Sequence, residues 1–330
     1  MKKILLIATG GTSASKKTER GLTPAISAED LLEFVPEIND LCNINAVQLF
    51  DLDSTNITPE HWLLMKDTIK QNYDSYDGFV ISHGTDTMAY SAAAISYLIQ
   101  HSPKPIVFTG SQKSIYNRDT DARTNLYHAF QYAVSEGAYG VHIVFNNLVI
   151  LGTRARKVRS KSFNAFSSID YPETAVFKDA RLIRYQDTQE NGPVKFYDNL
   201  DPHVFVLRLV PGMPADVLKA LRHQFHALVI EGFGVGGLPG GEDGDMIKEV
   251  MEWLSHGRLV VFSTQVQHEG SDLSVYEVGR IAKELPGVLE AQDMTPEAVV
   301  AKLMWVLGET KDTVEASTLF QTPIMHDILL

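Results

Sequence analysis

The sequence predicts an α/β fold, with a doubly wound, mainly parallel sheet in a larger N-terminal domain and a smaller α/β C-terminal domain. Three observations carry this expectation. Short apolar, β-rich runs alternate with longer segments of helical period, the pattern of a parallel sheet covered by helices on both faces. The polar stretch DTQENGPVKFYDNLDP, residues 187–202, interrupts that alternation with a glycine and two prolines. A chain of 330 residues, 44% of them hydrophobic, suits two cores better than one. The domains are therefore drawn at 1–186 and 203–330, with 187–202 as the linker.

In the first domain the expected strands are KILLIA, INAVQLF, DGFVIS, KPIVFTG and YGVHIVF. Between them, apolar residues recur at three and four spacing in stretches that begin near Pro59, Asp86 and Asp119. Thr58 before Pro59 is a helix start signal, and Asp86 and Asp119 suit first-turn positions, where a carboxylate meets the positive end of the helix. The second domain repeats the alternation with HVFVLRLV, ALVIEGF and RLVVFST. No internal repeat or low-complexity tract is present.

Composition excludes several function classes. The opening MKKILLIATGGT has too short an apolar stretch for a secretory signal and runs straight into glycines, so it reads as a buried first strand. No segment approaches the roughly 20 apolar residues of a membrane helix. The expectation is a cytoplasmic protein with no membrane partner. The single cysteine, Cys42, cannot form an intrachain disulfide and reads as a small core residue. A net charge of -12 speaks against nucleic acid as a partner. The exception is TRARKVRSK at 153–161, five of whose nine residues are Lys or Arg, a run that alone reads as a solvated loop.

Doubly wound sheets place their chemistry at the carboxyl ends of the strands, so the loops after Ala8, Leu49, Ser82 and Phe145 are the places to search. The first holds Thr9-Gly10-Gly11-Thr12, as compatible with a structural turn as with a catalytic one. A nucleotide cradle fits poorly, because neither G-x-G-x-x-G nor G-x-x-x-x-G-K-[ST] is present. Another holds Ser82-His83-Gly84-Thr85-Asp86-Thr87. There Asp86 and Thr85 could serve only to start a helix, with His83 a hydrogen-bonded, semi-buried side chain. The catalytic reading gains because Thr12 and Thr85 lie at the ends of strands expected to be neighbours, with Asp53-Ser54-Thr55-Asn56 on the same rim. Such a set suits a small zwitterion. Asp86 could take an amino group, and Ser54 a carboxylate. A threonine hydroxyl needs a base, for which Lys157 is a candidate if the neighbouring Arg154, Arg156 and Arg159 and partial burial lower its pKa. His223 and His226 have adjacent helix spacing, but no further ligand completes a metal set, so no metal is expected. The glycine-rich GFGVGGLPGGEDGD, from Gly232 to Asp245, reads as a loop lining a site or a subunit contact rather than a phosphate cradle.

These motifs match a known family. The chain resembles bacterial type I L-asparaginases over nearly its whole length, through ATGGT at 8–12, DGFVISHGTDTMAY at 77–90 and GTRARKVRSKSFNAF at 152–166. The resemblance implies that Thr12 attacks the side-chain amide of asparagine to give a β-aspartyl ester, which water hydrolyses, without cofactor or metal. It further implies Thr85, Asp86 and Lys157 as a second catalytic group, with Lys157 acting as base or proton relay through Thr85. Ser54, flanked by Asp53 and Thr55, would grip the α-carboxylate, and N–H groups near Gly11 and Thr85 would face the oxyanion. A homodimer or homotetramer is implied, in which Ser263–Glu277 of a neighbouring subunit would help complete the site.

Two departures stand out. Many relatives carry a loop tyrosine where this chain has Leu22, and leucine cannot move a proton. The arginine, threonine and cysteine of a separate regulatory pocket align with Glu231, Arg156 and Val266, so cooperativity is not carried over. Rival readings are a mixed glutaminase-asparaginase, an amidase component serving misacylated tRNA, a catalytically silent asparagine sensor and, least favoured, a nucleotide-binding module.

Overall fold

A computed structural model describes the chain except residues 12–14, 19–20, 25–26, 180, 187–191, 240–244, 276–279, 281–282, 284, 286 and 330. The side chains of 15–18, 21–24 and 245 are likewise outside the description. The chain divides into two compact units, Met1–Asp198 and Asn199–Leu330.

The strands of the first unit are β1 (Lys3–Gly10), β2 (Ser15–Thr18), β3 (Gly21–Pro24), β4 (Asn43–Leu52), β5 (Gly78–Ser82), β6 (Ile99–Gln100), β7 (Ile106–Thr109), β8 (Val141–Phe145), β9 (Leu148–Leu151), β10 (Ala155–Lys157), β11 (Phe166–Ser168), β12 (Ala175–Lys178), β13 (Arg181–Arg184) and β14 (Lys195–Phe196). Its helices are α1 (Ala28–Glu33), α2 (Pro59–Asn72), α3 (Met88–Leu98) and α4 (Ala122–Val134). Eight strands form one sheet in the order β13-β12-β9-β8-β7-β5-β1-β4. β4, β1, β5, β7 and β8 run parallel, and β9, β12 and β13 extend the sheet antiparallel. The five strands expected in this unit are the five parallel ones.

Both faces of the sheet are covered, which explains why its strands read as continuous apolar runs. Ile4, Leu6 and Ala8 of β1 join Leu31 of α1 and Leu126, Ala129 and Phe130 of α4 in one cluster. Leu5 and Ile7, which the pleat turns to the other face, are buried as well. From β1 the chain passes to β4 on one side and then to β5 on the other. That reversal leaves a crevice at the carboxyl ends of β1 and β5, the usual ligand position in such sheets.

Two helix starts fall later than the sequence suggests. Thr58 does precede α2, and its N–H donates to His61 Nδ1 at 3.1 Å. α3, however, begins at Met88, since the Asp86 carboxylate is held by Lys157 instead of the helix. α4 begins at Ala122 after Asp121, while Asp119 pairs with Lys113. Within the stretch expected as linker, residues 187–191 lie outside the description, and β14 pairs back with β6. Cys42 is buried, and burial pushes its thiol up to about 11, as an inert core residue requires.

In the second unit, β15 (Val204–Arg208), β16 (Ala227–Gly232), β17 (Leu259–Thr264) and β18 (Val288–Glu290) form a parallel sheet in that order. Leu218 of α5 (Asp216–Leu221) and Met246, Val250 and Trp253 of α6 (Asp245–Ser255) pack on one face, against Leu228, Ile230, Val260 and Phe262. The helices Pro296–Glu309 and Thr313–Gln321 also pack on this sheet, against β15 and β18. No described helix is long and apolar enough to cross a membrane.

The chain end of this unit is held by a buried ion pair. Lys302 Nζ lies 2.7 Å from Asp327 Oδ2 and donates to Thr322 O at 2.8 Å, with both charged side chains fully buried. Burial lowers the lysine pKa and the carboxylate opposes that fall. Removing one partner strands the other in a dry interior, so Asp327→Asn should cost about 3 kcal/mol at pH 7. Urea unfolding should show this as a lower midpoint at unchanged slope. An unshifted midpoint would mean that the pair contributes nothing.

Candidate active site

The rim above β1 and β5 is built by close backbone approach. Gly10 and Gly11 have φ of +91° and +88°, a region costly for side-chain-bearing residues. A Cβ on Gly11 would meet Gly84 N at 2.4 Å, so the two glycine turns lie against each other. Gly11 N–H donates to Leu52 O at 3.0 Å and is thereby committed to the end of β4. Thr12 lies outside the described residues. Leu22 lies in β3, paired through its backbone with Lys17, and its side chain is likewise outside the description.

Thr85 is 4% exposed and sits at the centre of a polar cluster. Lys157 Nζ donates to Thr85 Oγ1 at 2.8 Å and to Asp86 Oδ1 at 2.6 Å. Lys157 ends β10, where pairing with Phe166 of β11 fixes its backbone. Its side chain is 16% exposed and that of Asp86 57%, so the pair spans the boundary between interior and solvent. The basic run is therefore not a solvated loop as a whole: Arg154 is fully buried with its guanidinium 5.7 Å from the Tyr171 ring centre, and only the segment from Arg159 onward is exposed. The charged group that touches Lys157 is the Asp86 carboxylate rather than one of these arginines.

Ser54 comes from the turn after β4 and is buried. Its Oγ accepts Asp86 N–H at 3.3 Å and its carbonyl accepts the Thr87 hydroxyl at 2.7 Å, tying this turn to the one after β5. Any Cβ on Gly84 would collide with Ser54 Oγ at 2.6 Å, so only glycine permits this approach. Asp53 and Thr55 behave differently from Ser54. Asp53 Oδ1 accepts both the N–H and the hydroxyl of Thr55, each at 2.9 Å, and both residues are exposed. Their mutual bonds shape the turn that presents Ser54. The structure thus brings Thr85, Asp86, Lys157, Ser54 and Gly11 to one rim, with Asp53 and Thr55 behind Ser54.

Gln112 is a residue that sequence reasoning missed. The Thr85 hydroxyl donates to Gln112 Oε1 at 3.3 Å, and Gln112 Nε2 donates to Ser162 O at 3.1 Å. Its backbone N–H is fixed by the buried Asp121, at 2.9 Å from Oδ2. The available signal was positional, since Gln112 follows the carboxyl end of β7, where sheets of this kind place their chemistry.

Elsewhere, His223 and His226 do not share a helix face, because α5 ends at Leu221. His226 instead joins His203, each with Nδ1 at 2.7 Å from Asp201, with Lys311 Nζ on the same carboxylate at 2.7 Å. Burial opposes ionisation of Asp201, but these donors and the His203 N–H outweigh it and hold the carboxyl well below the usual range. Asp201, His203 and His226 are the cluster with metal-ligand composition among the described residues. The Lys311 ion pair and two imidazole hydrogen bonds already occupy the carboxylate. Phe233 and Gly237 bridge across the glycine-rich loop, whose residues 240–244 are outside the description.

Comparisons with known proteins point to one family. Residues 3–190 match the family model for the asparaginase N-terminal domain, and residues 203–320 match that for the glutaminase/asparaginase C-terminal domain. The chain is 41% identical to an L-asparaginase of Thermococcus kodakarensis over 328 residues, covering 99% of each chain. It is also 34% identical to a glutamyl-tRNA(Gln) amidotransferase component of Pyrococcus furiosus, covering 98% of this chain and 76% of that protein. A solved structure of the thermostable L-asparaginase from Thermococcus kodakarensis superposes with a TM-score of 0.93 at 40% identity, covering 99% of each chain.

Proposed function

Because the chain belongs to the asparaginase/glutaminase family of amidohydrolases, we propose that it hydrolyses L-asparagine to L-aspartate and ammonia, as a member of the bacterial type I branch. The observation that carries the reading is the position of Lys157 Nζ, within hydrogen-bond distance of both Thr85 Oγ1 and Asp86 Oδ1 at the switch-point rim. A partly buried amine on a hydroxyl is a proton path, and the adjacent carboxylate offers a place for an α-ammonium.

In this reading the Thr12 oxygen bonds to the side-chain carbonyl carbon as its proton is removed. The tetrahedral intermediate collapses by breaking the C–N bond, and the leaving nitrogen takes up a proton and departs as ammonia. In the second half, Lys157 acting through Thr85 removes a proton from water, which attacks the ester, and the Thr12 oxygen leaves reprotonated with free aspartate. Dividing the hydrolysis in this way replaces one difficult step by two easier ones. Ser54 Oγ accepts Asp86 N–H, which leaves its own proton to donate to the substrate α-carboxylate. Because Gly11 N–H is bonded to Leu52 O, the oxyanion falls to the Thr85 N–H and to the N–H that follows Gly11. The working form is a cytoplasmic homodimer or homotetramer in which Ser263–Glu277 of a neighbour completes the site.

Initial rates of ammonia release from L-asparagine and L-glutamine, measured separately, test the proposal. Selectivity for asparagine in kcat/KM of about 10- to 200-fold is expected, since one methylene is worth about 1–3 kcal/mol in a pocket. Equal rates would move the assignment to a mixed glutaminase-asparaginase, and no turnover of either would move it to an asparagine sensor. The similarity to amidotransferase components favours a tRNA-linked amidase as a second reading, but a net charge of -12 gives tRNA little to bind.

A further inference from the structure

Beneath the Thr85 turn lies a chain of buried polar side chains that the reaction above does not use. His83, Ser91 and Trp62 are at most 5% exposed. His83 Nδ1 is 2.7 Å from Gly84 O, His83 Nε2 is 2.9 Å from Ser91 Oγ, and Trp62 Nε1 donates to Ser91 Oγ at 2.9 Å. The direction of every bond follows from chemistry alone. An indole N–H can only donate, so Ser91 Oγ accepts from Trp62 and gives its own proton to His83 Nε2. A carbonyl can only accept, so Nδ1 carries the ring proton and donates it to Gly84 O. The two ends agree on one neutral tautomer. Burial supports it by pushing the imidazole down to about 4, so the ring stays uncharged at neutral pH.

The bond to Gly84 O has a consequence one atom away. Gly84 C=O and Thr85 N–H belong to the same peptide unit, which is planar, and in the trans form the two bonds point in opposite directions. Fixing the carbonyl towards the buried ring therefore turns the Thr85 N–H away from it. That N–H has no hydrogen-bond acceptor among the described residues, although Thr85 is buried. Buried N–H groups are seldom left unpaired, and an oxyanion-hole donor in a site awaiting substrate is one of the few reasons for it. The rest of the turn is clamped as well: His83 N–H donates to Thr109 O at 2.8 Å, and Asp86 N–H is held by Ser54 Oγ at 3.3 Å. Between these two anchors the Gly84–Thr85 peptide has the His83 ring as its side-chain tether.

Resting on the asparaginase reading above, we infer that His83 is a positioning residue: its bond to Gly84 O aims the Thr85 N–H at the oxygen that becomes negative in the tetrahedral intermediate. Ser91 and Trp62 set the tautomer that makes this bond possible. The imidazole itself neither touches substrate nor carries a proton to it.

Two nearly isosteric substitutions isolate the bond. In His83→Asn the side-chain amide can still donate to Gly84 O, whereas in His83→Leu it cannot, and both lose the contact to Ser91. Steady-state ammonia release from L-asparagine should fall about 10- to 100-fold in kcat for His83→Leu, with KM within about twofold of the parent, because the lost interaction belongs to the transition state. His83→Asn should keep kcat within about threefold, and its pH–rate profile should coincide with the parent's. Equal kcat in the two variants, a loss confined to KM, or a pH limb that disappears in His83→Asn would each overturn the inference. Should His83→Leu fail to fold, Ser91→Ala supplies the test, since it keeps the ring and removes the donor that sets its tautomer. A fall in kcat of about 3- to 10-fold is expected there, and an unchanged kcat overturns the inference. A parent protein that releases no ammonia overturns the asparaginase reading and this inference with it. An active parent with matching Asn and Leu variants overturns this inference alone.

Discussion

Thr12→Ala should release ammonia from L-asparagine at least about 10⁴-fold more slowly than the parent while still binding the amino acid, because in the proposed mechanism it removes the atom that forms the acyl bond. The effect should lie in kcat. Gly10 and Gly11 deliver the chain from the end of β1 onto the Thr85 turn, with a Cβ on Gly11 only 2.4 Å from Gly84 N. Gly11 thus lies against the turn whose next residues, Thr85 and Asp86, meet Lys157. Loss of one methyl and one hydroxyl leaves in place Ser54 and Asp86, the groups proposed to hold the two ends of the substrate. A calorimetric titration of the variant with L-asparagine should therefore give a dissociation constant within about tenfold of the parent KM, while ammonia release stays at background. Trapping offers a second readout, in that hydroxylamine should intercept the ester in the parent and find none in the variant. If Thr12→Ala turned over asparagine at the parental rate, the nucleophile would have to be sought elsewhere.

How much of this site the sequence discloses depends on how far apart its parts lie in the chain. Strands β1, β4, β5, β7 and β8 are legible because burial on both faces demands near-continuous apolar runs, and Gly84, Thr85 and Asp86 stand together in one turn. Ser54 was legible as a rim residue for the same reason. The approach of Lys157 to Thr85 is another matter, since it spans 72 positions and depends on the pairing of β10 with β11. No spacing rule encodes that, and only the resemblance to a known family linked the two residues. The antiparallel end of the sheet was not anticipated, although a signal was present. Asn146 and Asn147 both have positive φ, 47° and 68°, and connect β8 to β9 as a two-residue hairpin, for which asparagine is favoured. His83 shows the converse limit. Its place in the turn is legible, but its complete burial is a product of packing, and the partners that fix its tautomer, Trp62 and Ser91, come from two different helices. Polar networks of this kind are closed by tertiary packing, and residue order alone does not name their members.

Lys157→Met should lower kcat for asparagine by about 10²- to 10⁴-fold, the range expected when a positioned proton-transfer group is lost. Methionine resembles lysine in length and flexibility, so it can fill the same partly buried channel without an amine. The fold should tolerate the change. Asp86 is left without its partner, but its side chain is 57% exposed and water replaces the bond at little cost. The Thr85 hydroxyl keeps its bond to Gln112 Oε1 at 3.3 Å, so it stays in place while losing the Lys157 amine that donates to its oxygen. The kinetic parameter that changes identifies the role of the lysine. If Lys157 moves protons through Thr85, kcat falls and KM stays near the parental value, because the proposed reading assigns the substrate ammonium to Asp86. If Lys157 served only to orient Asp86 for binding, KM would rise and kcat at saturation would survive. Steady-state kinetics of the two proteins over a full range of asparagine concentration separates these cases, and a surviving kcat would remove Lys157 from the proton path.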